Sequence, residues 1–316
     1  LGGTNIVCGL LDADNRLVGT LKRPTQADQG FEHVIGRMAE LANDLMAQNG
    51  VDRAEVDVVG AGVPGLVDPV RGVVMGASNL GWRDRPAAEE LGRRLGLPVY
   101  IDNDVRMYVY GEAVAGAGRG FRVVLGLTVG TGLAAALVED GRLYYGGGFM
   151  AGELGHIRMD DVPYQCGCGL SGCLETVVSA TGIARLARDR IAAGGEGLLA
   201  RQFAGRLQEL TAADVSAAHD QGDALAAQVM DEVGRHLGRG LSYAVTLLNP
   251  DLILIGGGAA AAGEKLFAPM RSELKRLVLP PYWQHLTIRR AELLDDAGVI
   301  GSAASAAARI RGGSAS

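Results

Sequence analysis

The strongest constraint on how this chain folds is a pattern that occurs twice. Gly3-Thr4 leads into an apolar run at 6–11, an acidic turn (Asp12-Ala13-Asp14-Asn15), then Arg16-Leu17 and Gly19. The series returns as Gly130-Thr131, an apolar run at 133–138, Glu139-Asp140-Gly141, Arg142-Leu143 and Gly146. Each copy reads as strand, turn and returning strand. Two copies in 316 residues predict two related α/β lobes, and the length agrees with two domains of ordinary size. The bends also carry chemistry. A glycine turn between strands presents backbone N–H groups that can hold phosphate oxygens. Gly2-Gly3-Thr4 and Gly130-Thr131-Gly132 are therefore candidate phosphate turns, against the plainer reading of two ordinary hairpins.

The remaining pattern fits such lobes. Phe31, Val34, Ile35, Met38, Leu41, Leu45 and Met46 have helical spacing, closed by Asn49-Gly50. Strands are predicted at 56–61, 98–102, 252–255 and 286–294. Helices are predicted at 105–117, 173–193, 225–247, 264–277 and 297–310, with a frayed tail from Gly312. Thr211 and Asp214 mark a capping box. The chain opens Leu-Gly-Gly-Thr rather than with Met, and a Gly-Gly turn needs a strand on each side, so a further strand is expected before Gly2.

Composition narrows the function. Glycine is in excess, 48 of 316 residues, against a usual share of about 7%. Its clusters mark loops where backbone approaches something closely. Thirty Lys and Arg against 36 Asp and Glu leave a net charge of −6, with no general pull toward nucleic acid or an anionic membrane. The least polar stretch, 123–138, is too short to span a bilayer and contains Gly-Thr-Gly.

Three of the four cysteines, Cys166, Cys168 and Cys173, fall within eight residues, and His156 precedes them. The spacing H-x9-C-x-C-x4-C matches a closed tetrahedral zinc site, with Gly167, Gly169 and Gly172 letting the backbone wrap the ion. The plainer reading is buried thiols beside a surface histidine. Four protein ligands leave no open position, so the zinc is expected to be structural. A thiol cluster of this kind points to a reducing cytoplasm. Asp102-Asn103-Asp104 ends a predicted strand, the edge where open α/β sheets gather ligands. Asp104 is the candidate base there, and a helix N-cap is the alternative for the tripeptide. Glu153 and Glu175 flank the thiol loop, and carboxylates suit sugar hydroxyls, although most glutamates are simply solvated. Gly256-Gly257-Gly258 follows a buried strand but is not G-x-G-x-x-G, so a dinucleotide fold is not supported.

Together these residues resemble the ROK family of bacterial sugar kinases and sugar-responsive repressors, within the actin/hexokinase-like superfamily. The most specific stretch is Gly152-Glu153-Leu154-Gly155-His156 followed by Cys166-Gly167-Cys168-Gly169-Leu170-Ser171-Gly172-Cys173-Leu174-Glu175. Gly62-Val63-Pro64-Gly65 and Asn103-Asp104 also match, and Asn79-Leu80-Gly81-Trp82 resembles the glucokinase branch. The sequence departs from the family after Asp104, where Val105-Arg106-Met107-Tyr108 replaces small residues, and at Ala134-Ala135-Ala136, where glycines are frequent.

The resemblance implies two ribonuclease H-like (actin/hexokinase-type) lobes around a cleft. One would be 1–106 with the C-terminal helix 297–312 packing back on it. The other would be 107–296, with the zinc loop and nucleotide site. It implies ATP-dependent phosphorylation of a hexose at its 6-hydroxyl, glucose first, with N-acetylmannosamine, N-acetylglucosamine, fructose or mannose as other acceptors. A sugar-responsive repressor is the rival class, though no helix-turn-helix is visible. Asp104 would be the base, and Gly65, Asn79, Asn103, Glu153, His156 and Glu175 would line the sugar site. Gly3, Thr4, Thr131 and Gly132 would face the ATP phosphates, and Gly257 and Gly258 the adenosine. The implied cofactors are structural Zn²⁺ and Mg²⁺ with ATP, and the expected strand before Gly2 would supply an acid near Mg²⁺. A homo-oligomer, dimer or tetramer, is expected, with no nucleic acid and no membrane as partner.

Overall fold

Both expected hairpins are present in the computed structural model, which describes residues 1–312. The tail expected to fray beyond Gly312 lies outside the described residues. In the first copy β1 (Asn5–Leu11) pairs antiparallel with β2 (Leu17–Pro24). Its turn is held by Asp12, whose Oδ1 accepts from the Asp14 and Arg16 amides, each at 2.9 Å, as a short acidic side chain does at a bend.

The chain forms two compact units, one comprising Leu1–Arg122, Ala136–Ala151 and the chain from Ala291, the other Val123–Ala135 and Gly152–Arg290. In the first unit, α1 (Phe31–Gln48) buries Val34, Ile35, Leu41, Leu45 and Met46, the stripe read from the sequence. The strand expected at 56–61 is β3 (Val59–Val63). Next comes an antiparallel meander, β4 (Leu66–Asp68), β5 (Val73–Ala77) and β6 (Trp82–Arg85), which sequence periodicity did not reveal. Helix α2 (Ala87–Leu95), strand β7 (Val99–Asn103) and helix α3 (Asp104–Ala115) follow. Strands β3 and β7 are parallel, with Val63 opposite Asn103. That register sets Val63-Pro64-Gly65 beside Asn103-Asp104.

Next in the chain are β8 (Val123–Val129), β9 (Leu133–Glu139) and β10 (Arg142–Tyr144). The last two form the second hairpin, with Glu139 opposite Arg142. Its tip is Asp140-Gly141, both at positive φ (49° and 72°). This is the left-handed pair that a two-residue hairpin turn requires.

The second unit adds α4 (Glu175–Val178), α5 (Ala180–Ala192), α6 (Leu198–Gln202), α7 (Ala212–Asp220) and the long α8 (Ala224–Leu248). Strand β11 (Leu252–Gly256), α9 (Glu264–Leu277), α10 (Pro280–His285) and β12 (Thr287–Arg290) complete it. The five-stranded sheet runs β10-β9-β8-β11-β12, and β11 is parallel to both β8 and β12. Two sequence readings change here. The helix expected at 173–193 breaks at Ser179, whose side chain accepts from the Gly182 amide as the cap of a new helix. The strand expected at 286–294 stops at Arg290, because β11 offers it a ladder only from Leu252 to Ile255.

The first unit runs past the boundary expected at 106 because α3 packs on α11 (Ala297–Gly312) at backbone distance. A Cβ on Gly301 would lie 1.8 Å from the Met107 carbonyl oxygen, and one on Gly111 2.1 Å from that of Ala297. Gly301→Ala is therefore expected to cost about 1–3 kcal/mol by overpacking. Gly298→Ala, where a Cβ meets nothing within 4 Å, is expected to be neutral or stabilising. Urea midpoints check this, and equal shifts would count against close helix contact.

Among the described residues β1 pairs only with β2, and β3 only with β7. A cavity of about 710 Å³ is lined by β1 residues such as Ile6 and Gly9 and β3 residues such as Val59 and Gly62, and Asp104 also lines it. The Leu1 α-amino group donates to the Gly62 carbonyl at 2.7 Å. No helix among the described residues is long and apolar enough to cross a membrane.

Candidate active site

Each unit contributes a group of the expected site residues. In the first unit the three residues of Asp102-Asn103-Asp104 have separate tasks. Asn103 is the cap of α3, its side-chain oxygen accepting from the Val105 and Arg106 amides at 3.0 and 3.1 Å. Its amide nitrogen donates to the Gly65 carbonyl at 2.9 Å, which leaves one N–H for a ligand. Asp102 is buried and paired with Arg106 at 2.6 Å, and removing one partner of such a pair costs about 3–5 kcal/mol. Asp104 has neither task. Its Oδ1 accepts from the adjacent Val105 amide at 2.9 Å. Burial pushes its carboxyl above the ordinary value, against the opposing pull of the Leu1 α-amino group. That leaves a carboxylate suited to accept a proton.

Gly65 lies at φ +94°, and a Cβ there would come 2.1 Å from the Gly76 carbonyl oxygen. Only glycine fits this turn, which aims the Gly65 carbonyl at Asn103. The Asn-Leu-Gly-Trp element divides. Leu80 and Trp82 are buried, Trp82 packing edge-on against Phe31 with centroids 4.8 Å apart. Asn79 is exposed beside Gly3, whose Cβ position lies 3.5 Å from the Asn79 amide nitrogen. Thr4 is exposed at the end of the same turn, which is closed by a hydrogen bond from the Gly2 amide to the Asn5 carbonyl at 2.8 Å.

In the second unit the ends of β8 and β11 adjoin. A Cβ on Gly257 would lie 2.6–2.8 Å from Val129 backbone atoms, so Gly257-Gly258 runs directly beside the Gly130-Thr131-Gly132 turn. Sequence reading missed the third member of this corner. The Ala180 amide donates to the Gly130 carbonyl at 2.7 Å, and Thr181 Oγ1 to the Thr131 carbonyl at 3.2 Å. The N-terminus of α5 thus adjoins the turn, adding the positive end of a helix dipole to its N–H groups. The available signal was Ser179, a favoured N-cap. Glu175 is tied to the same turn, its Oε2 accepting from the Leu133 amide at 2.8 Å.

The ligand atoms of His156, Cys166, Cys168 and Cys173 all lie within 4.8 Å of one another. Cys168 Sγ and Cys173 Sγ are 3.7 Å apart, as are Cys166 Sγ and His156 Nδ1. A zinc tetrahedron with Zn–S bonds of about 2.3 Å has edges of roughly 3.8 Å, so the cluster fits a structural zinc. Gly169 and Gly172 sit at φ +92° and +85° in the wrapping loop. The second imidazole nitrogen, Nε2, is 3.6 Å from Glu153 Oε2, the kind of carboxylate partner that orients a ligating histidine.

A family model described as ROK family matches residues 1–309. A glucokinase from Halalkalibacterium halodurans is 35% identical over 302 residues, covering 95% of this chain and 91% of that protein. The structure of a ROK family glucokinase from Streptomyces griseus, in complex with glucose and AMPPNP, is 32% identical with a TM-score of 0.79 and 97% of each chain covered. A ROK family transcriptional regulator, a homologue of the E. coli MLC protein, is 28% identical with a TM-score of 0.84, covering 96% of this chain and 75% of that one. Its α/β architecture is that of the ROK glucokinases, and with the match running from Leu1 almost to the end of α11, the chain belongs to the ROK family.

Proposed function

We propose that the protein transfers the γ-phosphoryl group of ATP to the 6-hydroxyl of a hexose, glucose first, in the cytoplasm. The observation that carries this reading is Asp104. Of the strand-end tripeptide, it alone is free of capping and ion-pair duty, beside the Asn103–Gly65 pair. A carboxylate whose pKa is raised by burial suits proton abstraction from a sugar hydroxyl, the step that a kinase needs and a sensor does not.

In this reading Gly65, Asn79 and Asn103 hold the sugar, and Asp104 takes the 6-hydroxyl proton as that oxygen attacks the γ-phosphorus. The bond from γ-phosphorus to its bridging oxygen breaks and ADP leaves. The N–H groups of Gly3, Thr4, Thr131 and Gly132 receive phosphate oxygens, and Gly257-Gly258 passes along the adenosine. Most of the acceleration comes from positioning and charge neutralisation, the latter shared with the Mg²⁺ that accompanies ATP. Glu153, His156 and Glu175 of the thiol loop are further sugar contacts in this reading, and His156, Cys166, Cys168 and Cys173 would hold a structural zinc that would keep the loop rigid.

An ADP-release assay across a panel of hexoses tests the function. Glucose is expected to have the highest kcat/KM, at least about 10²-fold above N-acetylated hexosamines, because a site built to pair a free hydroxyl rejects an analogue that cannot. A higher value for N-acetylmannosamine or N-acetylglucosamine would move the assignment to another acceptor. Sugar binding without ADP release for any hexose would favour the regulator class.

A further inference from the structure

We propose that Arg106 is a positioning residue for the acceptor site, locking β4 and the 145–151 segment to the Asn103-Asp104 turn and so setting the affinity for sugar. The inference rests on the reading of that turn as the acceptor site. Arg106 stands on the first turn of α3, where an arginine would ordinarily reach solvent, yet it is 5% exposed. Its fork reaches three separate segments. Nε donates to Asp102 Oδ1 at 2.6 Å, Nη1 to the Phe149 carbonyl at 2.8 Å and Nη2 to the Val67 carbonyl at 3.3 Å. Its face lies over the Tyr145 ring, 5.2 Å from the centroid.

The segment is gripped a second time from Asp102, itself 2% exposed. Tyr145 donates its hydroxyl to Asp102 Oδ2 at 2.7 Å. Burial, with the nearby Asp102 charge, pushes that phenol up to about 12, so it remains a donor at neutral pH. Arg309 of α11 closes the network, donating to the Pro69 carbonyl at 2.7 Å and to the Tyr145 hydroxyl at 3.3 Å.

The geometric need is specific. The β3–β7 ladder sets Gly65 near Asn103, but it ends at Val63 and Asn103, and β4, which begins just after Gly65, lies in a different sheet from β7. No strand ladder fixes β4 against β7. Two side chains do so instead: Asn103 on the Gly65 carbonyl and Arg106 on the Val67 carbonyl, two residues further along. The third prong holds Phe149, a bulky residue at φ +61°, a left-handed conformation that needs external support. A lysine supplies the charge but not the planar fork. A buried ion pair is in itself weak evidence for a stabilising role, so the fork is better explained by the geometry it imposes.

The test uses full-length Arg106→Lys and Tyr145→Phe, with thermal unfolding, glucose Kd by calorimetry, and KM for glucose and ATP. Arg106→Lys is expected to raise glucose Kd and KM about tenfold, with kcat and ATP KM within about threefold, since small misplacement of a binding group is felt strongly. Tyr145→Phe keeps the guanidinium and is expected to shift glucose Kd the same way by about threefold. A lowered Tm with unchanged glucose Kd in both variants would overturn the proposal. If Arg106→Lys fails to fold, Tyr145→Phe decides alone. A wild-type protein that binds glucose without releasing ADP would sink the kinase reading while the variants' Kd still decides this one. A wild-type protein that binds no hexose would sink both.

Discussion

Asp104→Asn is expected to lower kcat for glucose by about 10²–10⁴-fold while glucose Kd stays within about tenfold. The amide keeps the shape of the side chain and can still accept the Val105 amide proton, but it cannot take the proton of a hydroxyl. The fold does not depend on the charge, because Asn103 rather than residue 104 caps α3. A variant that keeps more than about a tenth of the wild-type kcat would remove Asp104 from the role of base. The wild-type pH profile supplies a second reading of the same group. Burial raises the Asp104 pKa, and only the deprotonated form accepts a proton. Activity is therefore expected to be full at neutral pH and to fall as pH drops through that raised value. The acid limb of kcat/KM should lie above the ordinary aspartate value of about 3.9. A limb at or below that value would mean that the titrating group is another one.

Cys173→Ser is expected to release the metal and to destabilise the protein by about 3 kcal/mol or more, the scale of losing a structural ion. At roughly 2–4 °C per kcal/mol for a chain of this size class, Tm should fall by about 6–12 °C. Cys173 is 0% exposed, and its thiol, pushed up to about 12 chiefly by burial, gives up its proton readily only to a metal ion. The damage should extend to substrate binding. Glu175, two residues on, holds the Leu133 amide at the end of the Gly130-Thr131-Gly132 turn, so KM for ATP and for glucose should both rise. Cys8→Ser, at a half-buried thiol of the first unit, should leave metal content unchanged. Elemental analysis of wild-type protein purified without chelators should find about one zinc per chain. Finding none would refute the site, and unchanged KM values in metal-free Cys173→Ser would refute its link to substrate binding.

How much of this was legible beforehand depended on the range of the interaction. The paired Gly-Thr hairpins were readable because turn chemistry and strand alternation act over a few residues, as at Asp140-Gly141. The stripe of α1 was readable from its period, and the thiol loop from ligand types at short spacing. The β4-β5-β6 meander was not, because its strands are only three to five residues long and show no alternation of polar with apolar residues. The break at Ser179 was masked by the buried run Thr176-Val177-Val178, which suits a continuous helix as well as two.

By itself the sequence determined the two Gly-Thr turns, the grouping of His156 with three cysteines in the thiol loop and the presence of acids at one strand end. Each of these follows from backbone conformation or side-chain chemistry within a few neighbouring residues. Only the tertiary structure decided that Asn103 caps and Asp102 pairs, which leaves Asp104, the candidate base already named from the sequence, with neither task. That division depends on Arg106 turning inward, toward carbonyls 39 and 43 residues away in the chain. A guanidinium stays buried only where a carboxylate and several carbonyl oxygens together replace its water, and no local pattern states where such partners converge.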